Sequence, residues 1–180
     1  MLEMALHVLD IAENSTRAGA SLVEITIRED LKHNIFSIEI KDNGAGMDKE
    51  TLEKTMDPFY TTKKVRRIGL GLPMLAQAAR TTGGSFSIES DIGRGTRVYA
   101  QFKHNHIDRQ PLGDIAGVII ALILGNPEVD FVYIHKRNAQ TYSLDTREIR
   151  QGIGDIPLNH REILNLIREN VKEGLAELNE

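Results

Sequence analysis

The chain has no cysteine among its 180 residues, which excludes disulfides, thiolate zinc sites and a cysteine nucleophile together. Long apolar runs are also missing. The longest, at 115–124, is broken by Gly117 and is shorter than the ~18 to 20 residues that a membrane span needs. The first residues lack the basic segment and small-residue cleavage site of a secretory signal. These absences predict a cytoplasmic protein that does not contact membranes.

The composition, with 41% hydrophobic and 27% charged residues, is typical of a globular protein with a sizeable core. At about 150 residues per domain, the length predicts one domain with an appendage. The net charge of −4 excludes bulk attraction to nucleic acid, and the excess acid lies in residues 105–180. No acid stands between Asp57 and Glu89, and the basic cluster there indicates a local anion site. That cluster comprises Lys63, Lys64, Arg66 and Arg67.

The periodicity of apolar residues in the first part predicts an α+β order, with helices covering one face of a mixed sheet. The predicted elements are a helix at 2–17, strands at 22–28 and 34–40, a short helix capped by Asp48, a helix at 72–82, and strands at 85–90 and 97–103.

The second part, from residue 105, is predicted to hold a helix at 111–124, strands at 131–135 and 141–144, and a final helix at 158–178. We expect the two strands either to extend the sheet of the first part or to form a small lobe against it. Asn159 is the expected N-cap of the final helix, and Glu162 stands three residues later, at the spacing of a capping box. This acidic, amphipathic helix is a candidate surface for a protein partner.

Two glycine-rich segments are separated by the basic cluster. In the first, DNGAG at 42–46, a carboxylate leaves the end of a strand and glycines without a Cβ would let a flat ligand approach the backbone. In the second, IGLGL at 68–72, glycines open a helix whose free N–H groups and dipole favour phosphate. The order predicts a site that binds a base at one end and phosphates at the other.

Five segments over residues 5–103 resemble, in order, the motif boxes of the GHKL superfamily ATP-binding domain. They read LDIAENSTRAGA at 9–20, DNGAGM at 42–47, DPFYTTK at 57–63, GLGLPM at 69–74 and GRGT at 93–96. The resemblance implies the Bergerat fold, a two-layer α/β sandwich, for residues 1–104, with residues 105–180 as a small C-terminal α/β extension. The segment at 57–63 resembles the histidine-kinase branch.

The resemblance also implies roles for individual residues. Asn14 would bind the Mg²⁺ that bridges the phosphates of ATP. Asp42 would accept a hydrogen bond from the adenine amino group, supported by Thr96, and Lys63 would reach the phosphates. The other nucleotide-contacting residues would be Gly44, Gly46, Met47, Thr62, Gly69, Leu70, Gly71 and Leu72.

Asp10 lies one helical turn before Asn14, where hydrolysing members of the superfamily place a glutamate base. An aspartate is one methylene shorter, so two interpretations stay open: a base or Mg²⁺ ligand, or a plain exposed helix acid. Glu13 is a weaker candidate base. Lys63 is either the phosphate-binding lysine or a solvated loop residue, and the rest of the basic cluster favours the solvated interpretation.

The segment HIDRQPL at 106–112 reproduces letters of a histidine-kinase phosphoacceptor box. However, Ile107 replaces the acid that follows the phosphoacceptor, and the segment comes after the ATP-binding part instead of before it. We therefore interpret His106 as part of a connector. Among the other histidines, His7 is expected to be a packed helix residue, whereas His33, His135 and His160 have no partners at metal-ligand spacing.

The implied function is binding of Mg-ATP and transfer of its γ-phosphate to a protein partner, as in sensor kinases or anti-sigma-factor kinases. The acceptor would be a histidine, serine or threonine. Two alternatives stay open: a switch that responds to ATP or ADP without phosphorylating its partner, and a slow ATPase that uses Asp10.

Overall fold

The computed structural model describes residues 2–57 and 70–179. The helices are α1 Met4–Arg17, α2 Lys49–Lys54, α3 Gly71–Thr81, α4 Ile115–Gly125, α5 Thr146–Ile153 and α6 Arg161–Glu177. The strands are β1 Leu22–Asp30, β2 Ile35–Asp42, β3 Ser85–Asp91, β4 Gly95–Lys103, β5 Asp130–Arg137 and β6 Gln140–Asp145. This order confirms the predicted α+β class.

One mixed sheet contains all six of these strands, in the order β3-β4-β2-β1-β5-β6. Only β1 and β5 pair in parallel, and the other neighbours are antiparallel. The strands of the second part therefore extend the sheet, as in the first of the two alternatives. The division into two units at residue 104 stays a prediction, and the sheet itself is continuous across it.

The two faces of the sheet differ because side chains alternate along each strand. On β1, Val23, Ile25 and Ile27 are buried in a core shared with α1, α3, α4 and α6. The opposite face carries ion pairs. There the Arg97 guanidinium pairs with Glu39 of the neighbouring strand β2, which lies diagonal to it. The helices of this core thus lie on one face of a mixed sheet, as predicted.

Helix α4 starts four residues later than expected, because the residues before it bind the start of α1. The backbone N–H groups of Met4 and Ala5 donate to the carbonyl oxygens of residues 111 and 112, at 2.9 and 2.8 Å. Asp114 is the N-cap, accepting from the N–H of Gly117 at 2.9 Å. The connector at 104–114 is therefore joined to α1 through backbone hydrogen bonds.

The C-terminal elements correct two expectations. Helix α5 was not predicted, since its sequence TREIRQGI offers only two apolar residues for a helical face. Its N-cap is Asp145, whose carboxylate accepts from the N–H of Arg147. The N-cap of α6 is His160 instead of Asn159, so Glu162 lies in the first turn but at the wrong spacing for a capping box.

The short helix α2 has the predicted cap, because the Asp48 carboxylate accepts from the N–H of Thr51 at 2.7 Å. Of the helices in the described ranges 2–57 and 70–179, none combines the length and apolar character that crossing a bilayer requires.

Candidate functional site

A cavity of about 400 Å³ lies between α1, the start of α3 and the end of the sheet where β2 finishes. Most of the predicted site residues line it: Asp10, Asn14, Asp42, Gly46, Met47, Gly71, Leu72 and Thr96. Gly44 is buried beside Asp42, and Leu70 immediately precedes α3. Lys63, Thr62 and Gly69 lie outside the described residues, as do Lys64, Arg66 and Arg67.

Asp42, the last residue of β2, is a buried carboxylate held by three donors. Its Oδ1 accepts from the backbone N–H of Gly44 at 2.8 Å and from that of Thr96 at 3.3 Å. Its Oδ2 accepts from the hydroxyl of Ser15 at 2.6 Å. These bonds fix the carboxylate at one end of the cavity and replace the water it loses on burial. Thr96 supports Asp42 through its backbone, whereas its hydroxyl contacts Ser90 at 2.8 Å.

The glycines beside Asp42 bring two turns of the chain together. A Cβ on Gly46 would lie 1.9 Å from the carbonyl oxygen of Asp91, and one on Gly95 would lie 1.9 Å from that of Asp42. Both glycines also have positive φ, at 67° and 91°. Close contact between the turns is therefore one reason for these glycines. The expected approach of a ligand to the backbone is not needed to explain them.

A polar row on α1 also lines the cavity, with Asp10, Asn14 and Arg17 spaced one turn apart. The side-chain oxygen of Asn14 accepts from Arg17 at 3.1 Å, and Arg17 also pairs with Glu13 at 2.7 Å. Arg17 thus places a guanidinium beside the residue expected to hold the metal. Glu13, the weaker candidate base, is in an ion pair with this guanidinium.

The carboxylate of Asp10 lies against the first residue of α3. A Cβ on Gly71 would come within 1.6 Å of Asp10 Oδ2, so only glycine leaves room for this contact. The first turn of a helix carries free N–H groups and a partial positive charge. The anion-favouring end of α3 is therefore next to the carboxylate of α1.

Histidines form a separate cluster at the far end of the sheet. Glu29 accepts from the Nε2 atoms of His135 and His104, both at 2.8 Å, and the hydroxyl of Tyr133 is 2.8 Å from Nδ1 of His135. These hydrogen bonds lower the pKa of Glu29 to about 2. Glu29 is six residues along β1 from the partner of Asp42, roughly 20 Å away at ~3.3 Å per residue.

Two further histidines, His7 and His106, lie outside this cluster. His7 is buried on α1 with Nε2 at 3.1 Å from the Gln110 amide oxygen, and burial lowers its pKa. His106 lies in the turn after β4, where its Nδ1 accepts from the N–H of Asp108 at 3.1 Å. Within the part of the chain that the structure describes, no three His or acidic residues converge on a point suited to a metal ion.

Three polar contacts at the site had no signal in the sequence: those of Ser15, Arg17 and Ser90. Ser15 and Arg17 stand at helical spacings that place them near the cavity, but their residue types are common on helices. Ser90 lies on β3 and reaches the site only because β3 pairs with β4. These side chains reach the predicted site residues through tertiary packing, which cannot be predicted from local sequence patterns.

Comparison with known proteins identifies a matching family and several relatives. The family of histidine kinase-, DNA gyrase B- and HSP90-like ATPases matches residues 3–106. The sensor kinase CckA of Brucella abortus (strain 2308) is 42% identical over 59 residues, covering 32% of this chain and 6% of that protein. The DNA mismatch repair protein MutL of Streptococcus sanguinis (strain SK36) is 26% identical over 188 aligned residues, covering 83% of this chain and 29% of that protein.

A crystal structure of the N-terminal domain of a DNA repair protein shares the fold, with a TM-score of 0.60 at 18% identity over 81% of this chain and 53% of that one. This likeness extends beyond residue 106 and so includes part of the C-terminal strands and helices. The chain spans less than a third of the curated relatives named above. The match over residues 3–106 covers more than half of the chain, which therefore belongs to the histidine kinase-, DNA gyrase B- and HSP90-like ATPase family.

Proposed function

We propose that the cavity binds Mg-ATP, with the adenine at Asp42 and the phosphates between α1 and the start of α3. The observation that carries this proposal is the buried Asp42 carboxylate, which three donors hold at one end of the cavity. A buried, oriented acceptor suits the amino group of adenine. At the other end, the first turn of α3 suits phosphate oxygens. Membership of an ATPase family supports the same ligand.

The residues at the phosphate end fit a magnesium ion. The amide oxygen of Asn14 and the carboxylate of Asp10 lie one turn apart on α1, and Mg²⁺ prefers oxygen ligands. In the proposed complex Asn14 holds the ion, and Asp10 is the candidate for a second ligand. When bound, the ion would neutralise charge on the phosphates. Arg17 supplies a further positive charge there, and Lys63, Thr62, Gly69 and Leu70 complete the proposed nucleotide contacts.

The reaction we propose is transfer of the γ-phosphate to a partner protein. The bond from the γ-phosphorus to the bridging oxygen breaks, a bond to the acceptor atom forms, ADP leaves, and the proton displaced from the acceptor passes to solvent. Such a step mainly requires positioning, here by Asn14 and the α3 amides, and charge neutralisation, here by Lys63. His106 lies beyond Lys103, at the end of β4 opposite Thr96 and roughly 20 Å from the cavity at ~3.3 Å per residue. This separation favours an acceptor on another molecule.

A second candidate function is slow hydrolysis of ATP. The observation that favours it is the position of Asp10, whose carboxylate touches the start of α3 where the terminal phosphate would lie. In that role Asp10 accepts a proton from the attacking water. The similarity to both a sensor kinase and a mismatch repair protein is compatible with either reaction.

Incubation of the purified protein with Mg²⁺ and γ-labelled ATP distinguishes these functions. We expect ATP to bind, and labelled protein to accumulate only when an acceptor protein is present. Label that remains on the chain itself and is lost in His106→Ala would show a self-contained kinase. Released phosphate without labelled protein would support the ATPase, and Asn14→Ala should then release less. Binding that yields neither product with any acceptor would indicate a nucleotide switch.

A further inference from the structure

Ser90 carries a half-buried hydroxyl next to the base end of the cavity, and the proposed function does not use it. It lies on β3 directly opposite Thr96 of β4. Its Oγ accepts from the backbone N–H of Met47 at 2.9 Å. The same atom lies 3.0 Å from the carbonyl oxygen of Gly95 and 2.8 Å from the hydroxyl of Thr96. Ser90 thus joins three polar groups around the site.

The number of protons available fixes the direction of these bonds. A serine hydroxyl has one proton and can accept two further hydrogen bonds. The carbonyl of Gly95 can only accept, so its contact uses the proton of Ser90. The hydroxyl of Thr96 must then donate to Ser90. This arrangement leaves Thr96 with lone pairs and without a proton to offer a ligand.

At the base end of the cavity, the side chains of Asp42 and Thr96 therefore present acceptors. Asp42 is a carboxylate. Thr96 lines the same cavity, and its hydroxyl donates its proton to Ser90 Oγ. A 6-amino purine can donate to both groups. A 6-oxo purine could still offer its ring N–H to Asp42, but its oxygen would face the lone pairs of Thr96. The orientation of the Thr96 hydroxyl is thus what separates the two kinds of base.

We propose that Ser90 is a positioning residue that sets the preference for a 6-amino over a 6-oxo purine nucleotide, acting through the hydroxyl of Thr96. This inference rests on the proposed binding of ATP in the cavity. Without the Ser90 hydroxyl, the proton of Thr96 is free to rotate and donate to an oxo group. An unmatched polar contact of this kind changes relative affinity by roughly tenfold.

The test measures Kd for ATP and for inosine triphosphate, each with Mg²⁺, in the wild type and in Ser90→Ala. The ratio of the two Kd values is the readout, because a merely structural loss would weaken both nucleotides equally. We expect the preference for ATP to fall roughly tenfold in Ser90→Ala. Ser87→Ala, an exposed serine on the same strand, is the matched control and should keep the wild-type ratio.

A second pair of variants keeps the test decisive if Ser90→Ala folds poorly. Ser90→Thr retains the hydroxyl and should retain the preference for ATP. Ser90→Val has nearly the same shape as Ser90→Thr but no hydroxyl, and it should lose the preference. An unchanged ratio in Ser90→Ala or Ser90→Val, with ATP still bound, overturns this inference alone. Failure of the wild type to bind ATP overturns the proposed function and this inference with it.

Discussion

The hydroxyl of Ser15 donates to Oδ2 of Asp42 over 2.6 Å, and this bond joins α1 to the end of β2. Both residues are buried, and they are 27 positions apart in the chain. The other carboxylate oxygen is held by backbone N–H groups, so Ser15 is the side chain that completes the orientation of Asp42. The base end of the cavity therefore depends on the position of α1.

Replacing Ser15 with alanine should lower the free energy of unfolding by about 1–3 kcal/mol, because Asp42 Oδ2 loses its donor while staying buried. Urea denaturation in the absence of nucleotide measures this change. Ser143→Ala, an exposed serine of β6, should change the same free energy by less than about 0.5 kcal/mol. Equal stability of Ser15→Ala and wild type would contradict the role of this bond.

Asp42→Asn should abolish the rise in melting temperature that Mg-ATP gives the wild type. An amide at this position presents a donor where adenine needs a charged acceptor. The measurement is a thermal shift titration with ATP, and far-UV circular dichroism checks that the variant is folded. A variant that melts like the wild type both with and without ATP would show that the adenine assignment is wrong.

Asn14→Ala should weaken ATP binding mainly when magnesium is present. Its amide oxygen is the proposed ligand of the ion, and without the ion that oxygen has less to contribute. Binding isotherms in Mg²⁺ and in EDTA give the two affinities. An equal loss in both solutions would instead indicate that Asn14 acts only through its hydrogen bond with Arg17.

Asp10→Asn should strengthen the binding of ATP in EDTA by roughly fivefold. The Asp10 carboxylate lies against the start of α3, where it repels phosphate unless a cation lies between them. Asp108→Asn, in the exposed turn after β4, makes the same change in net charge and serves as the control. Weaker binding of metal-free ATP by Asp10→Asn would mean that the carboxylate does not oppose the phosphates.

Stability in acid should depend on Glu29. Hydrogen bonds from His135 and His104 lower the pKa of Glu29 from 4.5 to about 2. The resulting stabilisation is fully present above pH 4.5 and is lost as the pH falls towards 2. The urea midpoints of wild type and Glu29→Gln should therefore differ most near neutral pH and converge between pH 4.5 and 2. Equal urea midpoints of wild type and Glu29→Gln at neutral pH would contradict this role of Glu29.

Local signals in the sequence were enough to predict the first part of the fold. Apolar periodicity located α1, and the Asp48 cap located α2. The cavity end at Asp42 followed from a carboxylate at the end of a strand before glycines. Helix α5 escaped prediction because it has too few apolar residues to form a recognisable face. The hydrogen bonds of Ser15 and Ser90 could not be predicted, because each depends on a partner brought close by tertiary packing.

The parallel pairing of β1 with β5 links residues that are about a hundred positions apart, such as Val23 and Phe131. During synthesis on the ribosome, β1 therefore cannot pair with β5 until most of the chain has emerged. Until then, one edge of β1 exposes unpaired N–H and C=O groups with which other chains can pair. The strand itself is rich in isoleucine and valine. Long-range contacts of this kind slow folding. We therefore expect newly made chains to aggregate most readily just before β5 is added.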